Sequence, residues 1–97
     1  MRVQWSPLAI ERVAEIAAYI AEDNPVAAEK WVREIFARVG QLTEFPQSRR
    51  HLPETMRQDI RELTWGNYRI IYRLEECQVS ILTVRHGRQI LPIAELI

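Results

Sequence analysis

Apolar and polar residues follow two different periods along the chain, and the change divides it into a helical part and a strand-rich part. From Arg2 to Trp5 polar and apolar residues alternate over a short stretch, which predicts a strand. Apolar residues then recur at spacings of three and four from Ala9 to Ile20, and again from Ala28 to Leu42. Such spacing lines up one face of a helix, so the pattern predicts two amphipathic helices.

Two helix-start signals set the bounds of these helices. Ser6-Pro7 and Asn24-Pro25 each offer an N-cap side chain followed by a proline, whose missing N–H costs nothing in the first turn. The first helix should therefore cover residues 7–22. Phe45-Pro46 ends the second helix, so we expect a tight two-helix hairpin over residues 7–44.

The second half of the chain is predicted to form a sheet. Residues 45–57 contain two prolines and show no period, which indicates a loop. Beyond this loop the period becomes two, with turn residues at Gly66-Asn67 and Glu75-Glu76. We expect a three-stranded antiparallel meander, covered by the helical hairpin, in one α+β domain of residues 1–97. Its strands are Asp59–Trp65, Tyr68–Leu74 and Cys77–His86.

The pattern leaves the placement of two segments undetermined. The first is the edge of the sheet that the N-terminal strand joins. The second is the position of residues 88–97, a tail so apolar that it must pack either on this chain or on a partner.

Length and charge exclude several classes of protein. The chain has 97 residues, of which 47% are apolar, which fits one folded domain and excludes a disordered tail or a multi-domain enzyme. Its 13 basic and 13 acidic side chains cancel, which argues against direct nucleic-acid binding by bulk electrostatics. The balance is uneven, however, with a net charge of −2 over residues 1–48 and +2 over residues 49–97.

The sequence has few cysteine or histidine residues that could bind a metal ion and no segment that could span a membrane. Cys77 is the single cysteine, and with His51 and His86 it forms no recognised metal-binding spacing, so we expect no metal and no cofactor. The longest apolar run, Ile16 to Ala21, is far too short to span a bilayer, and the first residues lack the apolar region of a signal peptide. We therefore expect a cytoplasmic protein with no membrane association.

Six segments, in order along nearly the whole chain, resemble the RelE/ParE superfamily of bacterial type II toxin–antitoxin toxins. No single segment is specific, but together they match the opening strand, the hairpin turn, the loop motif, the two middle strands and the ending of that family. The resemblance implies the family fold, which is the strand, helical hairpin and meander predicted above. The segments are Val3–Ala9, Tyr19–Ala28, Arg50–Glu54, Ile60–Leu63, Tyr68–Arg73 and Val84–Arg88.

RelE-like members of the superfamily are ribonucleases that cut messenger RNA, usually at the ribosome. Cleavage through the 2′-hydroxyl needs a base, a cation over the phosphate and a proton donor. Ile60 and Glu62 occupy strand positions where the resemblance implies basic residues. If the chain were such a nuclease, its candidate catalytic residues would be Arg69, Arg61, His86 and Glu62. A structural hydrogen-bonding role for His86 is the alternative interpretation.

The resemblance is closer to ParE-like members, which lack that nuclease set and poison DNA gyrase. It implies a cognate antitoxin that neutralises the toxin, with DNA gyrase as the target, and either a homodimer or a toxin–antitoxin heterotetramer. A toxin fold without toxicity is a further alternative. An enzymatic activity is thus open but disfavoured.

Five arginines of the predicted sheet and its end form a candidate binding surface for the antitoxin or the target. One interpretation is a docking surface for an acidic antitoxin, for gyrase or for RNA. The other is a solvated sheet face on which Glu62, Glu75 and Glu76 pair with the arginines. The arginines are Arg61, Arg69, Arg73, Arg85 and Arg88.

Overall fold

A computed structural model describes residues 1–44, 50–52, 54–87, 89 and 91–96. The order of its elements confirms the predicted α+β fold, with a strand, two helices and then the strands of a meander. The helices and strands are β1 (Arg2–Trp5), α1 (Pro7–Asp23), α2 (Pro25–Gly40), β2 (Arg50–His51), β3 (Ile60–Trp65), β4 (Tyr68–Leu74) and β5 (Gln78–His86). Two 3₁₀ turns, Gln41–Thr43 and Ile93–Leu96, follow α2 and close the chain.

Both helices begin as their capping residues predict. The Ser6 Oγ accepts a hydrogen bond from the Ala9 N–H at 3.0 Å, and the Asn24 Oδ1 accepts one from the Ala27 N–H at 3.0 Å. Each cap satisfies one of the N–H groups that a helix leaves unpaired at its start. The same Ser6 hydroxyl donates to the Leu82 carbonyl at 2.9 Å, which fixes the start of α1 against β5.

The sheet has five strands in the order β1-β5-β4-β3-β2. β3, β4 and β5 form the predicted antiparallel meander, and β1 joins it parallel to β5, with Val3 opposite Val79. This pairing settles which edge the first strand joins. β2 lies within the segment predicted as a loop, where it pairs antiparallel with β3 over two residues.

The helical hairpin covers one face of the sheet, as predicted. α1 and α2 bury their apolar stripes against alternate residues of β3, β4 and β5. Trp31 anchors this core, with its ring 5.2 Å from that of Tyr68 and 6.3 Å from that of Trp65. The buried residues of this hairpin core include Val13, Ile35, Leu63, Ile70, Tyr72, Ile81 and Val84.

The opposite face of the sheet carries a second apolar cluster, which includes part of the tail. Leu91 and Leu96 are buried there, so the described part of the tail packs on its own chain. The Arg73 Nη2 donates a hydrogen bond to the Leu96 carbonyl at 3.4 Å, which holds this part of the tail against the sheet. The cluster, called the tail core here, consists of Leu52, Ile60, Ile71, Leu82, Leu91 and Leu96.

Candidate functional site

The two faces of the sheet divide the predicted arginines. In the pairing of β4 with β5, Arg69 stands directly opposite Arg85, and both face the tail core together with Arg73. Arg61 lies two residues before Leu63, a hairpin-core residue, so strand alternation places it on the other face. Arg88 lies outside the described residues.

A β-bulge determines which face Arg85 occupies. Ile81 pairs with Tyr72 and Thr83 pairs with Ile71, so Leu82 is an extra residue in β5. At the bulge two consecutive residues, Leu82 and Thr83, lie on the face of the tail core, so a strict count of alternate residues from Ile81 fails beyond this point. In a regular strand with the same residues, Arg85 would point towards the hairpin instead of standing beside Arg69.

Arg69 is held between two carboxylates. Its Nη1 and Nη2 donate to the two carboxylate oxygens of Glu54 at 2.6 and 2.7 Å, while Nε and Nη2 donate to Glu62 at 3.3 and 3.2 Å. The hydrogen bonds to Glu54, and then those to Glu62, raise the pKa of Arg69 despite its partial burial. The side chain of Glu62 is 0% exposed, so Arg69 is the cation that compensates a buried charge.

A third carboxylate, Glu95 in the tail, binds two more arginines. It accepts hydrogen bonds from the Thr83 hydroxyl at 2.6 Å, from Arg85 and from the Arg12 Nε at 3.4 Å. Burial alone would raise the pKa of Glu95, but the Thr83 hydrogen bond and the charges of Arg85 and Arg12 outweigh it and lower this pKa. Glu95 therefore joins β5, α1 and the tail through one ionised carboxylate.

Arg73 lies at the far end of the same face, near Asp59. Its Nε is 4.0 Å from an Asp59 oxygen, and Asp59 also accepts a 2.6 Å hydrogen bond from Arg57. That hydrogen bond lowers the pKa of Asp59. The arginines of the tail face thus stand among carboxylates of their own chain, and the face is not a uniformly basic patch.

Sequence reasoning named Glu62 as a partner for these arginines but missed Glu54 and Glu95. Glu54 belongs to the segment predicted as a loop, and Glu95 to the tail, whose position the sequence left open. Glu75, also named as a partner, accepts hydrogen bonds from Ser80 and Gln78, which lower its pKa, and the charge of Arg73 lowers that pKa further.

The four candidate nuclease residues do not converge. Glu62 and Arg69 lie on the tail face, whereas Arg61 and His86 belong to the hairpin face, since His86 pairs with Tyr68 of the hairpin core. The His86 ring meets the Tyr68 ring edge-on, with centroids 5.5 Å apart. A base, a cation and a proton donor on opposite sides of a sheet cannot act on one phosphate.

Within the described ranges, no three side chains of His, Cys, Asp or Glu are grouped so that they could hold a metal ion. Neither helix of the described chain is long and apolar enough to cross a bilayer.

Comparison with known proteins identifies relatives over most of the chain. A family model described as the ParE toxin of the type II toxin–antitoxin system parDE matches residues 3–91. A protein named "Putative toxin Y4kP", from Sinorhizobium fredii (strain NBRC 101917 / NGR234), is 40% identical over 90 residues, which cover 91% of this chain and 90% of that protein. A solved structure titled "Chromosomal ParDE TA system from P. aeruginosa" is similar with a TM-score of 0.74 and 21% identity, covering 89% of this chain and 95% of that one. This last likeness shows the fold.

Proposed function

The chain belongs to the ParE toxin family of type II toxin–antitoxin systems, and we propose that it acts by binding DNA gyrase and is neutralised by a cognate antitoxin. The single observation that carries this proposal over the nuclease alternative is the separation of the candidate catalytic residues on two faces of the sheet. An inhibitor that works by binding needs a fixed surface and no convergent acid, base and cation.

The ion pairs of the tail face support the same interpretation. Glu62 would have to accept a proton to act as a general base, but its buried carboxylate is held by Arg69. Arg69 in turn donates hydrogen bonds from Nη1 and Nη2 to both oxygens of Glu54. These two groups form the outer edge of the guanidinium, to which a scissile phosphate would otherwise bind. Both residues are therefore occupied in holding β3, β4 and the Glu54 segment together.

Exposed apolar side chains on the helical hairpin support an antitoxin partner. Tyr19 and Val26 are each 73% exposed, and Ile10 and Phe36 are also exposed. Exposed apolar side chains of this size are points of contact on which an amphipathic helix or strand of a partner can be laid. Gyrase as the target places the action in the cytoplasm. Either a homodimer or a toxin–antitoxin heterotetramer is compatible with this surface.

Inducible expression in bacteria, with two parallel readouts, separates the proposed function from its rivals. We expect a DNA-damage reporter to rise within minutes of induction, while full-length transcripts remain intact. Rapid loss of transcripts without a DNA-damage signal would favour the nuclease, and unimpaired growth with soluble protein present would favour a fold without toxicity. Co-expression of a small acidic protein encoded beside the toxin should restore growth.

A further inference from the structure

The outer edge of β1 is open to pairing with a further strand. β1 is the last strand on its side of the sheet, and no other described strand pairs with its outer edge. The N–H groups of Arg2 and Ser6 point inwards and donate to the carbonyls of Cys77 and Ile81 at 3.3 and 3.0 Å. Because these backbone groups alternate in direction along a strand, the N–H and C=O groups of Val3 point outwards. Outward backbone groups of this kind are a template for another strand.

Apolar side chains lie beside this edge on the hairpin face of the sheet. Val3 and Trp5 are half-buried against the hairpin core, and the Trp5 ring lies 4.6 Å from the Phe36 ring, measured between centroids. Phe36 is 41% exposed and Met1 is 54% exposed. Met1 continues the alternation of Val3 and Trp5, which places it on the same face. The open edge is thus accompanied by apolar surface that the described chain leaves exposed.

We propose that β1 pairs with β1 of a second copy of this chain, antiparallel and around a two-fold axis at Val3. The two Val3 residues then exchange N–H···O=C hydrogen bonds, and the Trp5 N–H of each copy donates to the Met1 carbonyl of the other. The two five-stranded sheets join edge to edge, with both helical hairpins on the same face. This pairing does not depend on which target the toxin acts on.

The sequence of β1 is complementary to itself in this register. On the hairpin face Met1 lies opposite Trp5 of the other copy, so that two partly exposed apolar side chains cover each other. On the tail face the exposed Arg2 lies opposite the exposed Gln4, whose amide oxygen can accept a hydrogen bond. A register centred on Arg2 would place two arginines opposite each other, which is unfavourable. Both faces of the strand therefore favour a second copy as its partner.

The size of the interface predicts a weak dimer. It pairs residues 1–5 of each copy and the side chains beside them, which is less than the roughly 1,200 Å² that stable interfaces bury. We therefore expect a concentration-dependent dimer with a Kd on the order of 50 µM. The opposite edge of the sheet offers no equivalent surface, because β2 has only two residues.

Sedimentation equilibrium of the untagged full chain, from about 5 to about 500 µM, measures this dimer. Val3→Pro removes the outward N–H group while the inward hydrogen bonds of Arg2 and Ser6 remain possible. We expect it to weaken the dimer at least roughly tenfold, whereas Val3→Ala, which keeps the N–H group, should stay within about threefold of the unaltered chain. A chain that remains monomeric at every concentration, or a folded Val3→Pro variant that dimerises as tightly as the unaltered chain, would overturn the proposal.

Two opposite charge changes at Gln4 test the register on a side chain that is exposed and outside the core. Gln4→Arg sets two cations opposite each other in each half of the dimer, and Gln4→Glu sets an anion opposite Arg2. We expect the first to weaken the dimer about fivefold and the second to tighten it about fivefold. Gln58→Arg is the matched control, because Gln58 is exposed and precedes β3, which β5 and β4 separate from β1. Effects of the same sign in both Gln4 variants, no effect in either, or an equal effect in the control would contradict the register, also if Val3→Pro fails to fold.

The exposed Cys77, which directly precedes β5, allows a distance to be measured across the dimer. A strand spacing of about 4.8 Å and a rise of about 3.3 Å per residue place the two Cys77 Cα atoms about 20 Å apart. Nitroxide labels on Cys77, measured by pulsed electron–electron resonance, should therefore show a separation of about 20–30 Å that Gln4→Glu strengthens and Gln4→Arg weakens. A dimer whose labels lie more than about 40 Å apart would be formed by another surface and would overturn the proposal. None of these readouts involves gyrase, so failure of the proposed target and failure of this inference are distinguished.

Discussion

Arg69 of β4 compensates the charge of Glu62 on β3, whose side chain has no solvent exposure; the Arg69 Nη2 lies 3.2 Å from the Glu62 Oε2. The two residues lie diagonally across the strand pairing, since Glu62 stands opposite Ile71 and Arg69 opposite Thr64. The same guanidinium binds Glu54 from the other side. Arg69 therefore stabilises the fold, so an Arg69 variant that loses activity must first be tested for loss of stability.

Arg69→Ala should destabilise the fold strongly, because it removes the guanidinium that pairs with the buried carboxylate of Glu62. We expect a loss of about 3–5 kcal/mol in the free energy of unfolding, measured by urea titration. The double variant Arg69→Ala/Glu62→Ala should recover part of that loss, since it removes the buried charge as well. A loss below 1 kcal/mol in the single variant would contradict the assigned role. Loss of toxicity in Arg69→Ala is consequently no proof of a catalytic arginine.

Glu54→Gln tests the outer partner of Arg69. Its side chain is 33% exposed, so solvent screens the ion pair, and an amide can still accept a hydrogen bond from the guanidinium. We expect a loss of about 1 kcal/mol or less by urea titration. A loss as large as that of Arg69→Ala would show that Glu54, and not Glu62, is the main partner.

The Glu95 carboxylate should make stability depend on pH. Its pKa is lowered in the folded chain, so its contribution is fully present above the unfolded-state value of about 4.3 and is lost as the pH falls through the lowered folded value. Urea titrations of the unaltered chain and Glu95→Gln, between pH 7 and pH 3, should therefore converge at the acid end. Curves that stay parallel over that range would contradict an ionised Glu95 in the fold. Comparing the two chains removes the contributions of Asp59 and Glu75, whose pKa values are lowered as well.

Leu91→Ala tests whether the tail is an integral part of the fold. The side chain is 4% exposed in the tail core, so the truncation removes buried apolar contacts beneath the sheet. We expect a loss of about 2–5 kcal/mol in the free energy of unfolding, read from the midpoint of thermal or urea denaturation. Val26→Ala, at a position 73% exposed, is the control and should change stability by less than about 0.5 kcal/mol.

Local signals in the sequence were sufficient for the hairpin and the meander. The Ser6 and Asn24 caps act within one helical turn, and the strand period of β4 correctly separated Tyr68, Ile70 and Tyr72 from Arg69 and Ile71. These features depend on residues close in sequence, so the pattern alone predicts them.

The candidate site depended on contacts between distant segments, and there the sequence was less informative. Strand alternation cannot show that Leu82 is a bulge, yet that residue turns Arg85 towards Arg69. β2 is only two residues long, which is too short to show the alternation of a strand in the sequence. It is a strand only because it pairs with β3. Glu95 is a partner of Arg12 and Arg85 only because the tail packs on its own chain, which no local pattern predicts.

The most direct test of the central claim is a supercoiling assay with purified gyrase, relaxed plasmid, ATP and the purified toxin. Binding to gyrase predicts that supercoiling falls as toxin approaches the concentration of gyrase, and that prior addition of the antitoxin prevents the effect. Full gyrase activity at a large excess of folded toxin would contradict the account, and all the more so if the same preparation cut ribosome-bound messenger RNA.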